Sequence, residues 1–126
     1  MIQGIQDIYY SVFDMKRATS FYTELLGMTV IDASEWWTSL DCGGQRVGLH
    51  WSEGVEILRI PRDSHGAHAG GTLTLLVDDC HAEAERLSAA GVTLLGPVAD
   101  APWGLIVAFE DSEGNVLKLM QPVRPT

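Results

Sequence analysis

The sequence predicts an α+β fold in which one strand–helix–strands unit is built twice. Three observations point to it. A β-forming string leads into an aspartate-capped helix in each half, each helix stops at a glycine, and each half closes on a glycine-containing turn. The chain has 126 residues, the size of one ordinary domain.

The elements follow in order. Residues 7–12, Asp-Ile-Tyr-Tyr-Ser-Val, read as a strand. Asp14 is a good N-cap because its carboxylate can accept from the free N–H groups of the first helical turn. Ala18, Phe21, Tyr22 and Leu25 then recur at helical spacing, and Gly27 ends the helix, since only glycine enters the left-handed conformation freely. Strands are predicted at 29–31, 36–40 and 46–51, with Gly43-Gly44 as the hairpin turn between the last two. The second half repeats the plan. It has a strand at 72–77, a cap at Asp78 or Asp79, and a helix carrying Ala82, Ala84, Leu87 and Ala90 that is stopped by Gly91. Strands at 92–95, 105–109 and 116–120 complete it, with a Glu113-Gly114-Asn115 turn before the last. Residues 1–60 thus form one module, 61–71 a connector and 72–126 the second module of a single domain. Neither module buries a sheet face well alone, so the expected outcome is a larger curved sheet with helices outside and a ligand in the concavity.

Composition narrows the function classes. At 46% hydrophobic residues the chain is globular rather than disordered. It has no apolar run long enough to cross a membrane and no secretion signal at its start, so a cytoplasmic protein with no membrane partner is expected. Cys42 and Cys80 follow no metal-ligand spacing and read as buried free thiols. A net charge of −9 argues against nucleic acid as a partner and favours a cationic ligand through the summed field.

Three strings carry a family resemblance. Val12-Phe13-Asp14, with Ala18, Phe21-Tyr22 and Leu25-Leu26-Gly27-Met28, is one. Val77-Asp78-Asp79, with the helix end Ala89-Ala90-Gly91-Val92, is the second. Trp103-Gly104 with Phe109-Glu110-Asp111-Ser112-Glu113-Gly114-Asn115 is the third. Together they resemble the vicinal oxygen chelate superfamily, which includes glyoxalase I, bleomycin-resistance proteins and extradiol dioxygenases. The resemblance covers nearly the whole chain. It implies two paired βαβββ modules forming a curved half-open barrel, in a homodimer, but leaves function open because the scaffold hosts several chemistries.

The same resemblance implies four metal-ligand positions on the first and last strands of the modules, which fall on Asp7, Gly48, Thr72 and Lys118 here. Gly48 has no donor atom, Lys118 is a cation with no lone pair at neutral pH, and Thr72 is a poor ligand. No metal and no other cofactor is therefore expected. Asp7 and Lys118 are expected either to form an ion pair in place of the ion or to reach solvent at the rim. His50 shares Gly48's strand face by alternation, and is a candidate ligand partner or general base together with Asp7. His65 and His68 form an H-x-x-H string in the connector that reads as loop polarity.

Four tryptophans are many for this length. Their large rigid faces stack on flat heteroaromatic or cationic groups. Trp36 and Trp37 are neighbours on a strand, so one faces inward and one outward; Trp37 and Trp103 are expected at comparable places in the two repeats. Tyr9, Thr74 and Met120 join them by alternation. The candidate ligand-binding set is thus Asp7, Tyr9, Trp37, His50, Thr74, Trp103, Lys118 and Met120. Three functions fit this set. The first is a metal-free binder of a small aromatic or cationic natural product, like the bleomycin-resistance proteins. The others are a divalent-metal lyase, isomerase or dioxygenase with a rearranged site, and a metal-free enzyme with Asp7 or His50 as general base.

Overall fold

A computed structural model describes residues 1–58, 62 and 70–123. The chain divides into two compact units, Met1–Leu58 and Arg59–Thr126. His65 and His68 lie outside the described residues.

In the first unit β1 (Ile8–Val12) leads to α1 (Met15–Ser20), which continues as a π-helical stretch over Phe21–Leu25. Asp14 caps α1, accepting from the Arg17 amide at 2.9 Å. The chain leaves the helix at Gly27, whose φ of +74° is a left-handed value that a Cβ would penalise. Three strands follow: β2 (Thr29–Ala33), β3 (Trp37–Cys42) and β4 (Gln45–Trp51). Gly43 and Gly44, at φ +59° and +88°, turn β3 into β4, both positive as a two-residue hairpin requires. The sheet order is β1-β4-β3-β2, with β1 parallel to β4 and the remaining pairs antiparallel.

The second unit has the same topology. β5 (Leu73–Leu76) leads to α2 (Cys80–Ala89), then β6 (Ala99–Ala101), β7 (Gly104–Glu110) and β8 (Val116–Pro122), in the order β5-β8-β7-β6. Of the two candidate caps it is Asp79 that accepts, from the Ala82 amide at 3.0 Å. Even the register repeats: Tyr9 stands opposite Gly48 in the first parallel pair and Thr74 opposite Lys118 in the second. Each unit is therefore a complete βαβββ module.

One face of each sheet is covered by its own helix. In the first unit Tyr10, Val12, Leu40, Val47 and Leu49 are buried on the side where α1 packs, together with Ala18, Phe21 and Tyr22. In the second, Val107, Phe109, Leu117 and Leu119 bury against α2 through Cys80, Ala84 and Leu87. Each such large side chain contributes about 1.5–3 kcal/mol when taken out of water. By the period of two along a strand, the alternate residues stand on the opposite, helix-free face.

Two sequence expectations need correction. Residues 92–95 are not a strand. They still run antiparallel along β7 for a short way: Leu94 bridges Phe109, the Leu95 amide donates to the Ala108 carbonyl at 2.8 Å and the Glu110 amide to the Thr93 carbonyl at 3.0 Å, until Gly96-Pro97 interrupts the run. The ladder on this edge of β7 resumes beyond the interruption as β6, Ala99-Asp100-Ala101, a string of poor β-formers held at the sheet edge by β7 alone. Cys42 is half-buried rather than buried, while Cys80 is fully enclosed; both are free thiols.

Candidate functional site

The helix-free face of the first sheet gathers three aromatic side chains. β1 contributes Tyr9, β3 Trp37 and β4 His50. Strand register brings them together, since Trp37 pairs directly with His50 and Tyr9 pairs with Gly48, two residues before His50. Tyr9 and Trp37 have ring centroids 5.3 Å apart at 61°, Tyr9 and His50 5.9 Å at 69°, and Trp37 and His50 6.1 Å at 55°. These are edge-on or tilted geometries, which suit the ring quadrupoles better than face-to-face stacking. Tyr9 is 55% exposed, His50 is exposed and Trp37 half-buried.

Gly48 and Ser39 lie beneath this cluster. They pair with each other across β3 and β4. The Trp37 indole nitrogen donates to the Ser39 hydroxyl at 2.8 Å, and the six-membered ring of the indole lies against Gly48. Ser39 had no part in the sequence reading, because its role depends on which residue sits across from Gly48. Trp36 is not on the strand as expected but in the bend just before β3, and its side chain goes to the opposite side of the sheet. Its ring meets Trp51 at 5.2 Å, and Trp51 is anchored through its indole nitrogen to the Phe13 carbonyl. Beside Trp51, on that helix-bearing side, a groove of about 540 Å³ is lined by Met15, Thr19, Thr38 and Trp51; it holds none of the predicted site residues.

The other predicted residues fall on the second unit or at strand entrances. Asp7 precedes β1 by one residue and is half-buried. Thr74, Lys118 and Met120 share the helix-free face of the second sheet. Thr74 is directly opposite Lys118, and Met120 is opposite Leu76, which is 78% exposed. Trp103 is not the counterpart of Trp37. The register equates Trp37, paired with His50, with Ile106, paired with Met120, whereas Trp103 sits in the turn before β7 and is 59% exposed.

A divalent metal does not fit the donor set at the four implied positions. In the first unit the β4 position is a glycine whose side-chain space is filled by an indole. In the second, the β8 position is Lys118, opposite Thr74, and its ammonium repels a divalent cation and offers it no lone pair. Among the described residues no three His, Cys, Asp or Glu side chains gather into a metal-binding group.

Both thiols are held protonated. Burial pushes the Cys80 thiol above its ordinary value and the Asp79 carboxylate adds to this; for Cys42 burial again leads, followed by Asp41. Neither is an activated nucleophile.

Comparison with known proteins agrees with this architecture. The chain is similar to the glutathione transferase FosA of Serratia marcescens, 29% identical over 121 residues that span 94% of this chain and 81% of that one. It is also similar to TnmS3, an antibiotic binding protein from Streptomyces sp. CB03234. The TM-score is 0.71 at 27% identity, covering 97% of this chain and 98% of that one. UcmS2 matches with a TM-score of 0.71 at 27% identity, over 95% of this chain and 98% of that one. The family model for the Glyoxalase/Bleomycin resistance protein/Dioxygenase superfamily matches residues 4–119. With that match over most of its length, and with one βαβββ module in each half, the chain belongs to the Glyoxalase/Bleomycin resistance protein/Dioxygenase superfamily.

Proposed function

We propose that this protein binds a planar aromatic, cationic small molecule, without a metal, on the helix-free face of its first sheet. The observation that carries the reading is the aromatic cluster of exposed Tyr9 and His50 around half-buried Trp37. Exposed aromatic rings on a rigid sheet supply stacking area at little entropic cost. The net charge of −9 favours a cation. Similarity to TnmS3, itself an antibiotic binding protein, supports a natural product as the ligand class. Thr74, Trp103, Lys118 and Met120 belong to the same proposal as further ligand contacts. The protein works as a cytoplasmic homodimer in this reading, supported by the apolar Val30 and Ile31 exposed on the edge strand β2; light scattering should give twice the chain mass.

Titration with 9-aminoacridine, a planar cation, tests the site. Saturable quenching of tryptophan emission is expected, and Trp37→Ala should abolish it. Equal affinity in Trp37→Ala, or no quenching by this dye, by phenanthridinium dyes or by bleomycin, contradicts the reading.

A second reading rests on the likeness to FosA, a glutathione transferase. Here Asp7 or His50 acts as a general base during transfer of a thiol to an electrophile. Consumption of glutathione with fosfomycin, measured with and without added manganese, decides it. Turnover lost in His50→Ala favours the enzyme, and no turnover in either condition removes it.

A further inference from the structure

At the β4 position that the family resemblance assigns to a metal ligand, this chain has Gly48, and the side chain of Trp37 uses the space. A Cβ on residue 48 would stand 2.2 Å from Trp37 Cζ2, 2.5 Å from Cη2 and 3.0 Å from Cε2. Real Cβ atoms do not approach so closely, and the obstacle is a fused bicycle rather than the loose end of a flexible chain. Gly48 has no left-handed backbone angle to explain it, so the indole is its reason. Ser39, directly across from Gly48, holds the other end of the ring by accepting from its nitrogen at 2.8 Å. Tyr9 and His50 bound it at 5.3 and 6.1 Å. The indole is thus fixed below, at one edge and on two sides.

Two chemical consequences follow. With its N–H already committed to Ser39, Trp37 offers a ligand π surface rather than a hydrogen bond. Tyr9 and His50 make no side-chain hydrogen bond among the described residues, so their hydroxyl and imidazole are the polar groups available at the plate's margin.

We infer that Gly48 and Ser39 are positioning residues that seat Trp37 as a fixed stacking plate for a planar ligand, at a position where a metal ligand would otherwise stand. This inference rests on the proposed binding function and adds what decides the ligand's shape: a flat ring system over Trp37, with polar atoms at its edge for Tyr9 and His50. A plate already held in place loses little freedom when it is covered, which raises affinity without a new contact.

A double-mutant cycle in the full chain tests it. Gly48→Ala should lower the melting temperature by about 5 °C, because the added methyl overpacks the indole. It should also change the near-ultraviolet circular dichroism of the tryptophans and weaken 9-aminoacridine binding by roughly tenfold. In a Trp37→Leu background the same Gly48→Ala change should be neutral or raise the melting temperature, since alanine restricts the unfolded chain more than glycine. Ser39→Ala should weaken the dye and alter the dichroism, and Ser39→Thr, which keeps the hydroxyl, should restore both. Equal melting losses for Gly48→Ala in the two backgrounds would overturn the seat. Unchanged dye affinity in Gly48→Ala, with binding intact in the wild type, would overturn the positioning role while leaving the binding function standing. A wild-type protein that binds no dye, yet shows the thermal coupling, would overturn the binding function instead.

Discussion

Asp111 and Asn115 are each 6% exposed, and they close the turn between β7 and β8 on one carboxylate. Asp111 Oδ1 accepts from the Glu113 and Asn115 amides at 2.8 and 2.9 Å, and Oδ2 from the Asn115 side chain at 3.1 Å. Gly114, at φ +86°, supplies the bend. Removing the acceptor leaves buried donors unpaired, so Asp111→Ala should cost about 3 kcal/mol. Urea unfolding measures it, as a lower midpoint at unchanged slope. Asp79→Ala removes a single exposed cap and should cost only about 1 kcal/mol. The comparison shows why one carboxylate outweighs another of identical chemistry: burial and the number of donors decide. Trp37 follows the same rule. It is one tryptophan among four, and the role proposed for it comes from what lies beneath it.

At the scale of the element, α2 brings a buried thiol to its first turn. Cys80 has its acidity lowered by burial and then by Asp79, so its folded pKa lies above the unfolded value of 9.0. The unfolded chain therefore ionises first as pH rises. The stabilisation from this group is complete below pH 9.0 and is lost as pH climbs through the folded pKa. Cys80→Ala should flatten the alkaline fall in melting temperature, and at pH 8 the native protein should leave this thiol unlabelled by a disulfide reagent until it is unfolded. The elements themselves differ in how far local chemistry announces them. Helix starts at Asp14 and Asp79, stops at Gly27 and Gly91, and the Gly43-Gly44 hairpin are local events, so residue type is enough to find them. β6 is not local. Ala99-Asp100-Ala101 has little strand preference and exists through its pairing with β7, whereas 92–95, richer in β-formers, meets β7 only over Thr93–Leu95 before Gly96-Pro97 ends the contact. The π-helical stretch over Phe21–Leu25 likewise carries no separate sequence mark. The site divides in the same way. Tyr9, Trp37 and His50 share a face by simple alternation, but the contact of Trp37 with Gly48 and Ser39 needs cross-strand register, which no single strand contains. Trp103 shows the opposite failure, since it is expected at a place comparable to Trp37 in the second repeat, and three residues of offset separate it from the true counterpart, Ile106.

Across the whole molecule, two modules of one topology present different helix-free faces. The first is aromatic and the second carries Thr74, Lys118 and Met120. At two of the positions that the family resemblance assigns to metal ligands, this chain has a glycine under an indole and a lysine. The net charge of −9 acts over longer range. Its attraction for a cation is screened within about 8 Å at physiological salt, so the association rate of 9-aminoacridine should fall as salt is raised. Neutral acridine should show little dependence by stopped-flow fluorescence, because stacking is insensitive to screening. In the proposed function an indole plate, and no metal, organises ligand binding. Calorimetric titration of chelator-treated protein with 9-aminoacridine, before and after manganese or zinc is added back, puts this to the test. Saturable binding at an affinity that the metal leaves unchanged is expected. Binding that appears only once the metal is restored would contradict it.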